Sequence, residues 1–107
     1  MWIMMNNSYL SIVKNINKPD ELLVRARIDG DIQKIFPDAK VVADAGTDYK
    51  FRASIGKNIV SKAIEKEIES IDYDNFKNSI PFEDKIRHDI YFDVWIKLRE
   101  LQIKTNE

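Results

Sequence analysis

Two hydrophobic periodicities divide this chain, and the change between them limits its fold more than any other feature. Before Gly56, apolar residues alternate with polar ones or form short runs, a pattern typical of β-strands. After Gly56, apolar residues recur at spacings of three and four, as they do along one side of an amphipathic helix. A chain whose strands come first and whose helices mostly follow them favours the α+β class.

Short turn sequences separate the strand signals, and short connections favour antiparallel pairing. Residues 6–8, Asn-Asn-Ser, separate two apolar runs and predict a hairpin. The clearest strand covers residues 22–27. A short strand near 40–44, a turn at 45–48 and a return strand over 49–55 come later in the chain. We therefore predict a sheet of four or five strands that is mainly antiparallel.

Two long helices are predicted after these strands, over residues 57–71 and about 82–103. We expect both helices to pack on one face of the sheet. Residues 1–103 should form a single compact domain, and residues 104–107 should fray. The predicted buried side of the second helix consists of Ile86, Ile90, Tyr91, Val94, Trp95, Leu98 and Leu101.

Composition excludes several classes of function. The 107 residues include no cysteine, which removes disulfides, thiolate metal sites and thiol nucleophiles. No segment approaches the roughly 18 apolar residues of a membrane span. The first seven residues lack the basic and apolar regions of a signal peptide, so we expect a cytoplasmic protein. No Walker loop, dinucleotide fingerprint, nucleophile elbow or calcium loop occurs, so no cofactor or metal is expected.

Four cations are predicted on the open face of the sheet. Alternation places Arg25 and Arg27 opposite the apolar side chains of one strand, and Lys50 and Arg52 opposite those of another. Tyr9 could join them and stack on a base, as aromatic residues do in RNA-binding sheets. The competing interpretation is an ordinary solvated strand face. The net charge of −1, from 17 basic and 18 acidic side chains, favours that interpretation.

Two further surfaces are candidates for binding a protein partner. An acidic ridge on the first long helix and the linker after it contains Glu65, Glu69, Asp72 and Asp74. On the second helix, Phe92 and Ile96 lie away from the main apolar stripe and are four residues apart. An exposed apolar pair of this kind could serve a homodimer or another protein. A solvated helix and an ordinary core helix are the alternatives.

His88 is the only histidine and therefore the one candidate for acid–base chemistry near neutral pH. A catalytic histidine needs an orienting carboxylate. Asp89 is adjacent, and neighbouring side chains on a helix do not face each other, whereas Asp84 lies four residues earlier and could pair with it. A partly exposed helical histidine is the simpler interpretation.

An ordered set of short motifs runs through most of the chain. The set comprises MWI at 1–3, LSIV at 10–13, LLVRAR at 22–27, GDI at 30–32 with FP at 36–37, DYKFRA at 48–53, IDY at 71–73 with NFK at 75–77, and RH at 87–88 with Tyr91 and VW at 94–95. It resembles a family of small, functionally uncharacterised bacterial proteins, a kind that also suits phages and mobile elements. The resemblance implies a compact cytoplasmic domain and no particular activity.

The sequence favours a protein-binding domain without enzymatic activity. A small chain of this kind, lacking catalytic motifs, suits a phage or mobile-element inhibitor of a host protein complex, such as an anti-CRISPR protein. The alternative is a nucleic-acid-binding module that uses the basic open face of the sheet. A small hydrolase built around His88 is a distant third.

Overall fold

The computed structural model of this protein describes residues 1–44 and 47–106. The chain divides into two compact units, Met1–Asp72 and Tyr73–Glu107, and each is described by itself. The predicted turn at 45–48 and the predicted fraying tail at 104–107 lie partly outside the described residues. That residues 1–103 form one domain stays a prediction.

The first unit contains a five-stranded antiparallel sheet, which confirms the predicted α+β class and strand pairing. Its strands are β1 (Trp2–Met4), β2 (Tyr9–Lys14), β3 (Glu21–Ala26), β4 (Val42–Ala43) and β5 (Phe51–Gly56). They lie in the order β1-β2-β3-β5-β4. The predicted hairpin joins β1 to β2, and the Met5 amide donates to the Ser8 carbonyl oxygen at 2.8 Å across its turn.

Two helices of the first unit contribute buried side chains to a core shared with the strands. They are α1 (Asp31–Ile35) and α2 (Lys57–Glu69). The core that they form with the strands consists of Leu10, Ile12, Val24, Ala26, Ile32, Ile35, Phe36, Ala53, Ile55 and Val60. The fully buried Asp31 ties α1 to the sheet, because its Oδ2 accepts a hydrogen bond from the Tyr9 amide at 3.0 Å. The face of the sheet opposite this core therefore carries the remaining strand side chains. That both long helices pack on one face of the sheet stays a prediction.

The second unit contains a short 3-10 turn, Lys77–Ser79, and the helix α3, Lys85–Thr105. Asp84 caps α3, since its Oδ1 accepts from the Arg87 amide at 3.2 Å and its Oδ2 accepts from Arg87 Nε at 2.7 Å. The buried Tyr91 ring stacks on Phe76 with 5.9 Å between centroids. The predicted long helix is therefore present, with its cap at Asp84.

The predicted buried side of α3 is largely exposed. Only Tyr91 of that set is buried, whereas Ile86, Ile90, Trp95, Leu98 and Leu101 are exposed and Val94 is intermediate. Apolar residues of this helix also lie outside the predicted stripe, at Phe92, Ile96 and Ile103. A helix whose apolar residues spread around much of its circumference has no single stripe that a spacing rule could identify.

Candidate functional site

One row of side chains crosses the sheet on the face opposite the helices. Trp2 pairs with Ser11, Ser11 with Arg25, and Arg25 with Arg52. The next row along the strands points the other way and supplies core residues such as Val24. Because neighbouring strands lie about 4.8 Å apart, this row extends about 14 Å from β1 to β5. A tryptophan and two arginines thus share one line across the open face.

Tyr49 joins the arginines, whereas strict alternation along the predicted strand 49–55 would place it opposite Arg52, on the apolar face. Its ring centroid lies 4.5 Å from Arg25 Cζ and 4.4 Å from Arg27 Cζ, and its side chain is buried. Strand β5 begins only at Phe51, and residues 47–50 form bends, so strand alternation does not extend back to Tyr49. The aromatic ring therefore packs against two guanidinium groups.

The three guanidinium groups of Arg25, Arg27 and Arg52 have many more donors than described acceptors. Each guanidinium carries five N–H groups. Arg25 Nη2 donates to Ser11 Oγ at 2.6 Å, and Arg27 Nη1 donates to the Asp48 carbonyl oxygen at 3.2 Å. The Nε atoms of Arg25 and Arg52 are buried without a hydrogen-bond partner. Among the described residues none of the three forms an ion pair. A cluster of this kind is suited to a ligand rich in anionic acceptors.

The hydroxyl group of Tyr49 responds to the same surroundings. Its pKa is lowered from the usual value, first by a hydrogen bond with Ser11, then by one with Tyr9 and by the charges of Arg27 and Arg25. Burial acts in the opposite direction. The hydrogen bonds and the arginine charges both favour the tyrosinate, because they stabilise negative charge on the phenol oxygen.

Replacing Ser11 by alanine is expected to raise the pKa of Tyr49, because it removes the largest cause of the lowering. Absorbance at an alkaline pH series reports tyrosinate formation, and Tyr49→Phe identifies the component that belongs to this residue. Because the pKa of Tyr49 is lower in the folded state than in the unfolded state, its ionisation stabilises the fold at pH values above the unfolded-state pKa. That contribution is lost as pH falls through the folded-state pKa. A Ser11→Ala titration curve identical to the wild type would contradict the assignment.

Trp2 places exposed aromatic surface in the same row as the arginines, against the half-buried Tyr9 ring. The Trp2 side chain is 75% exposed, and its ring meets Tyr9 edge to face with 6.4 Å between centroids. Sequence reasoning included Tyr9 but missed Trp2, Ser11 and Tyr49. The signal for Trp2 and Ser11 was the hairpin turn, which fixes their pairing and hence their shared face.

Lys50 was predicted to lie with the arginines on the open face, but its described contacts are with other residues. Its ammonium group lies 3.9 Å from Asp44 Oδ1 and 5.9 Å from the centroid of Phe51, a residue that packs against the core. The structure therefore brings together Tyr9, Arg25, Arg27 and Arg52 from the predicted set. We refer to Trp2, Tyr9, Ser11, Arg25, Arg27, Tyr49 and Arg52 as the open-face cluster.

The residues predicted to bind a protein partner are exposed and lie in both units. Glu65 and Glu69 lie on α2, and Asp72 ends the first unit, whereas Asp74 belongs to the second. On α3, Phe92 and Ile96 are exposed. Phe92 stacks on Trp95 with 5.9 Å between centroids, and the Lys77 ammonium lies 4.0 Å from the Trp95 centroid. We refer to Phe92, Trp95 and Ile96 on α3 as the aromatic patch.

His88 has a carboxylate beside it, although not the one that spacing favoured. Its Nδ1 lies 3.6 Å from Asp89 Oδ1, so the expectation that these adjacent side chains would not meet was wrong. Asp84 instead bonds Arg87 and caps the helix.

In the described part of the chain, no three histidine, aspartate or glutamate side chains gather into a group that could hold a metal ion. No helix among residues 1–44 and 47–106 has the length and apolar content needed to cross a membrane.

Comparison of the chain with protein-family models, with curated proteins and with solved structures finds no match.

Proposed function

We propose that this protein binds single-stranded nucleic acid on the open face of its sheet. The observation that carries the proposal is the open-face cluster, in which three guanidinium groups form no ion pair among the described residues. Arg25 and Arg27 lie against the Tyr49 ring, and Arg52 pairs with Arg25 on the neighbouring strand. The role is one of binding without catalysis. Arginine stays charged at all physiological pH values, so it holds anions and does not exchange protons with them.

The chemistry of the arginines supports phosphate as the group they bind. A guanidinium presents parallel N–H donors that match two oxygens of a phosphate, and it is weakly hydrated. The net charge of −1 provides no long-range attraction for a polyanion. Affinity must therefore come from short-range contacts at Arg25, Arg27 and Arg52, and should be moderate.

The aromatic residues support a single strand rather than a duplex. Trp2 exposes most of its side chain in the same row as Arg25 and Arg52, and a base can stack on such a ring only when it is unpaired. Trp2 and Arg52 lie at opposite ends of a row about 14 Å long, so a strand crossing the sheet could stack one base and reach two guanidinium groups.

Titration with a labelled single-stranded oligonucleotide, once as DNA and once as RNA, tests the proposal. Trp95→Phe leaves Trp2 as the only tryptophan, and its fluorescence should fall when a base stacks on it. Binding seen at about 50 mM salt should weaken steeply by about 200 mM. The matched duplex is the control, and it should bind more weakly. Equal affinity for duplex and single strand, or no change in Trp2 fluorescence on binding, would contradict the proposal.

A second candidate function is docking on another protein through the aromatic patch of α3. The specific observation is that Phe92 and Trp95 are stacked yet 40% and 48% exposed, with Ile96 exposed beside them. Exposed aromatic groups of this kind are enriched where proteins meet. In this role we propose a small inhibitor of a larger protein complex, with a second copy of the chain as the alternative partner.

Self-association is the part of this candidate that can be measured directly. If the aromatic patch joins two copies, sedimentation velocity should show a dimer that forms with rising protein concentration. Phe92→Ser with Ile96→Ser should return it to monomer, because both apolar side chains leave the interface. Leu101→Ser replaces an exposed apolar side chain on the opposite side of the same helix, so it is the matched control and should leave the dimer intact. A monomer at all concentrations would contradict the homodimer.

A further inference from the structure

A long apolar groove lies in the first unit between α2 and the strands β1, β2 and β3. It has a volume of about 680 Å³. Its apolar lining includes Ile3, Ile12 and Leu22 from the sheet and Val60, Ile64 and Ile68 from the helix. This groove lies on the helix-covered side of the sheet and shares no residue with the open-face cluster.

The rim of this groove carries acidic side chains along α2. Glu65 and Glu69 both line it, and they follow each other by one helical turn. Neither forms an ion pair within the described residues. The lysines of the same helix, Lys57, Lys62 and Lys66, do not line the groove. Lys14 lies on the sheet side. The α2 side of the groove is therefore negative, whereas the strand side carries the positive Lys14.

The length of the groove suits a short helix. Its lining follows α2 from Val60 to Glu69, and nine residue steps at 1.5 Å correspond to about 13 Å. A helix lying along it would turn between two and three times, which brings three apolar anchors to one side. The pair Ile64 and Ile68 provides a matching apolar ridge on α2.

We propose that this groove binds an amphipathic helix of a partner protein, with the apolar side of that helix in the groove and its basic flank against Glu65 and Glu69. Charge complementarity selects this occupant. The two carboxylates on the α2 side attract lysine and arginine at the edge of an apolar stripe, a pattern that an amphipathic helix supplies. The proposal is independent of nucleic-acid binding, because the two surfaces lie on opposite sides of the sheet.

A synthetic amphipathic peptide of leucine and lysine at helical spacing is the probe, and a leucine–glutamate peptide of the same pattern is its control. Titration of the fluorescein-labelled peptides should show saturable binding of the basic peptide to the wild-type protein and much weaker binding of the acidic one. Glu65→Lys with Glu69→Lys should reduce affinity for the basic peptide at least tenfold and improve affinity for the acidic one. Ile68→Ser should weaken both, since it removes an apolar anchor.

Lys62→Glu is the matched control for charge, because it alters the same helix outside the groove. It should change affinity less than twofold. Ile68 is 63% exposed, so its replacement should leave the fold intact, which circular dichroism checks. In NMR spectra, the backbone amide signals that shift when the peptide is added should belong mainly to residues of α2 and β1–β3. No saturable binding, equal affinity for both peptides, or a response to Lys62→Glu as large as that to the glutamate variants would overturn the proposal.

Discussion

Replacing Arg25 and Arg52 together by glutamine is expected to weaken binding of single-stranded nucleic acid about 100-fold at low salt. A hydrogen bond to a charged group contributes about 1.5–3 kcal/mol, and about 1.4 kcal/mol corresponds to tenfold in affinity. The two arginines face each other across β3 and β5 and carry the buried Nε atoms without partners. Their loss therefore removes two of the three guanidinium groups that we assign to phosphate.

The salt dependence should change with the affinity. Each phosphate contact on a single strand contributes about −0.7 to the log–log slope, so three guanidinium groups predict about −2 for the wild type and about −0.7 for the double variant. Arg25→Lys with Arg52→Lys keeps the charge and loses the planar fork. That variant should retain most of the wild-type slope while binding more weakly, which separates charge from geometry.

Lys50→Gln is the matched control, since Lys50 was predicted with the arginines but pairs with Asp44. It should change the slope little. If Lys50→Gln flattens the slope as much as the arginine variants do, binding depends on diffuse charge rather than on the open-face cluster. If the double glutamine variant binds as the wild type does, with its circular dichroism unchanged, the proposed site is wrong.

The strand half of the fold could be predicted because its rules are local. Alternation within β3 and β5 put Arg25 and Arg52 on one face, and the turn at residues 6–8 gave the β1–β2 hairpin. Side-chain direction in a strand has a period of two, so a few residues suffice to assign a face. The same rule indicated where a candidate site would lie.

Strand alternation alone does not predict every residue of the candidate site. Tyr49 reaches the open face because β5 begins two residues later than the pattern suggested, at Phe51. Strand ends depend on tertiary contacts, which no local pattern records. The pairing of Trp2 with Ser11 required the register of the hairpin, and the groove beside α2 required the relative placement of helix and strands.

Leu10→Ala is expected to destabilise the protein by about 2–5 kcal/mol, because Leu10 is fully buried and its truncation leaves a cavity in the core of the first unit. Trp95→Ala removes a larger side chain, yet the expected cost is only about 1–2 kcal/mol. What Trp95 loses is its stacking on Phe92 and its contact with the Lys77 ammonium.

Urea denaturation followed by circular dichroism measures both changes, and Ile16→Ala supplies the control for truncating an exposed apolar side chain. Ile16→Ala should stay within about 0.5 kcal/mol of the wild type. The spacing of apolar residues on α3 predicted Trp95 as a core residue whose loss would cost about 3–5 kcal/mol. If Trp95→Ala costs as much as Leu10→Ala, the tryptophan is a core residue after all, and the aromatic patch is no longer a docking surface. If the loss of stability decreases from Leu10→Ala to Trp95→Ala to Ile16→Ala, Leu10 belongs to the core and the aromatic residues of α3 remain available for a partner.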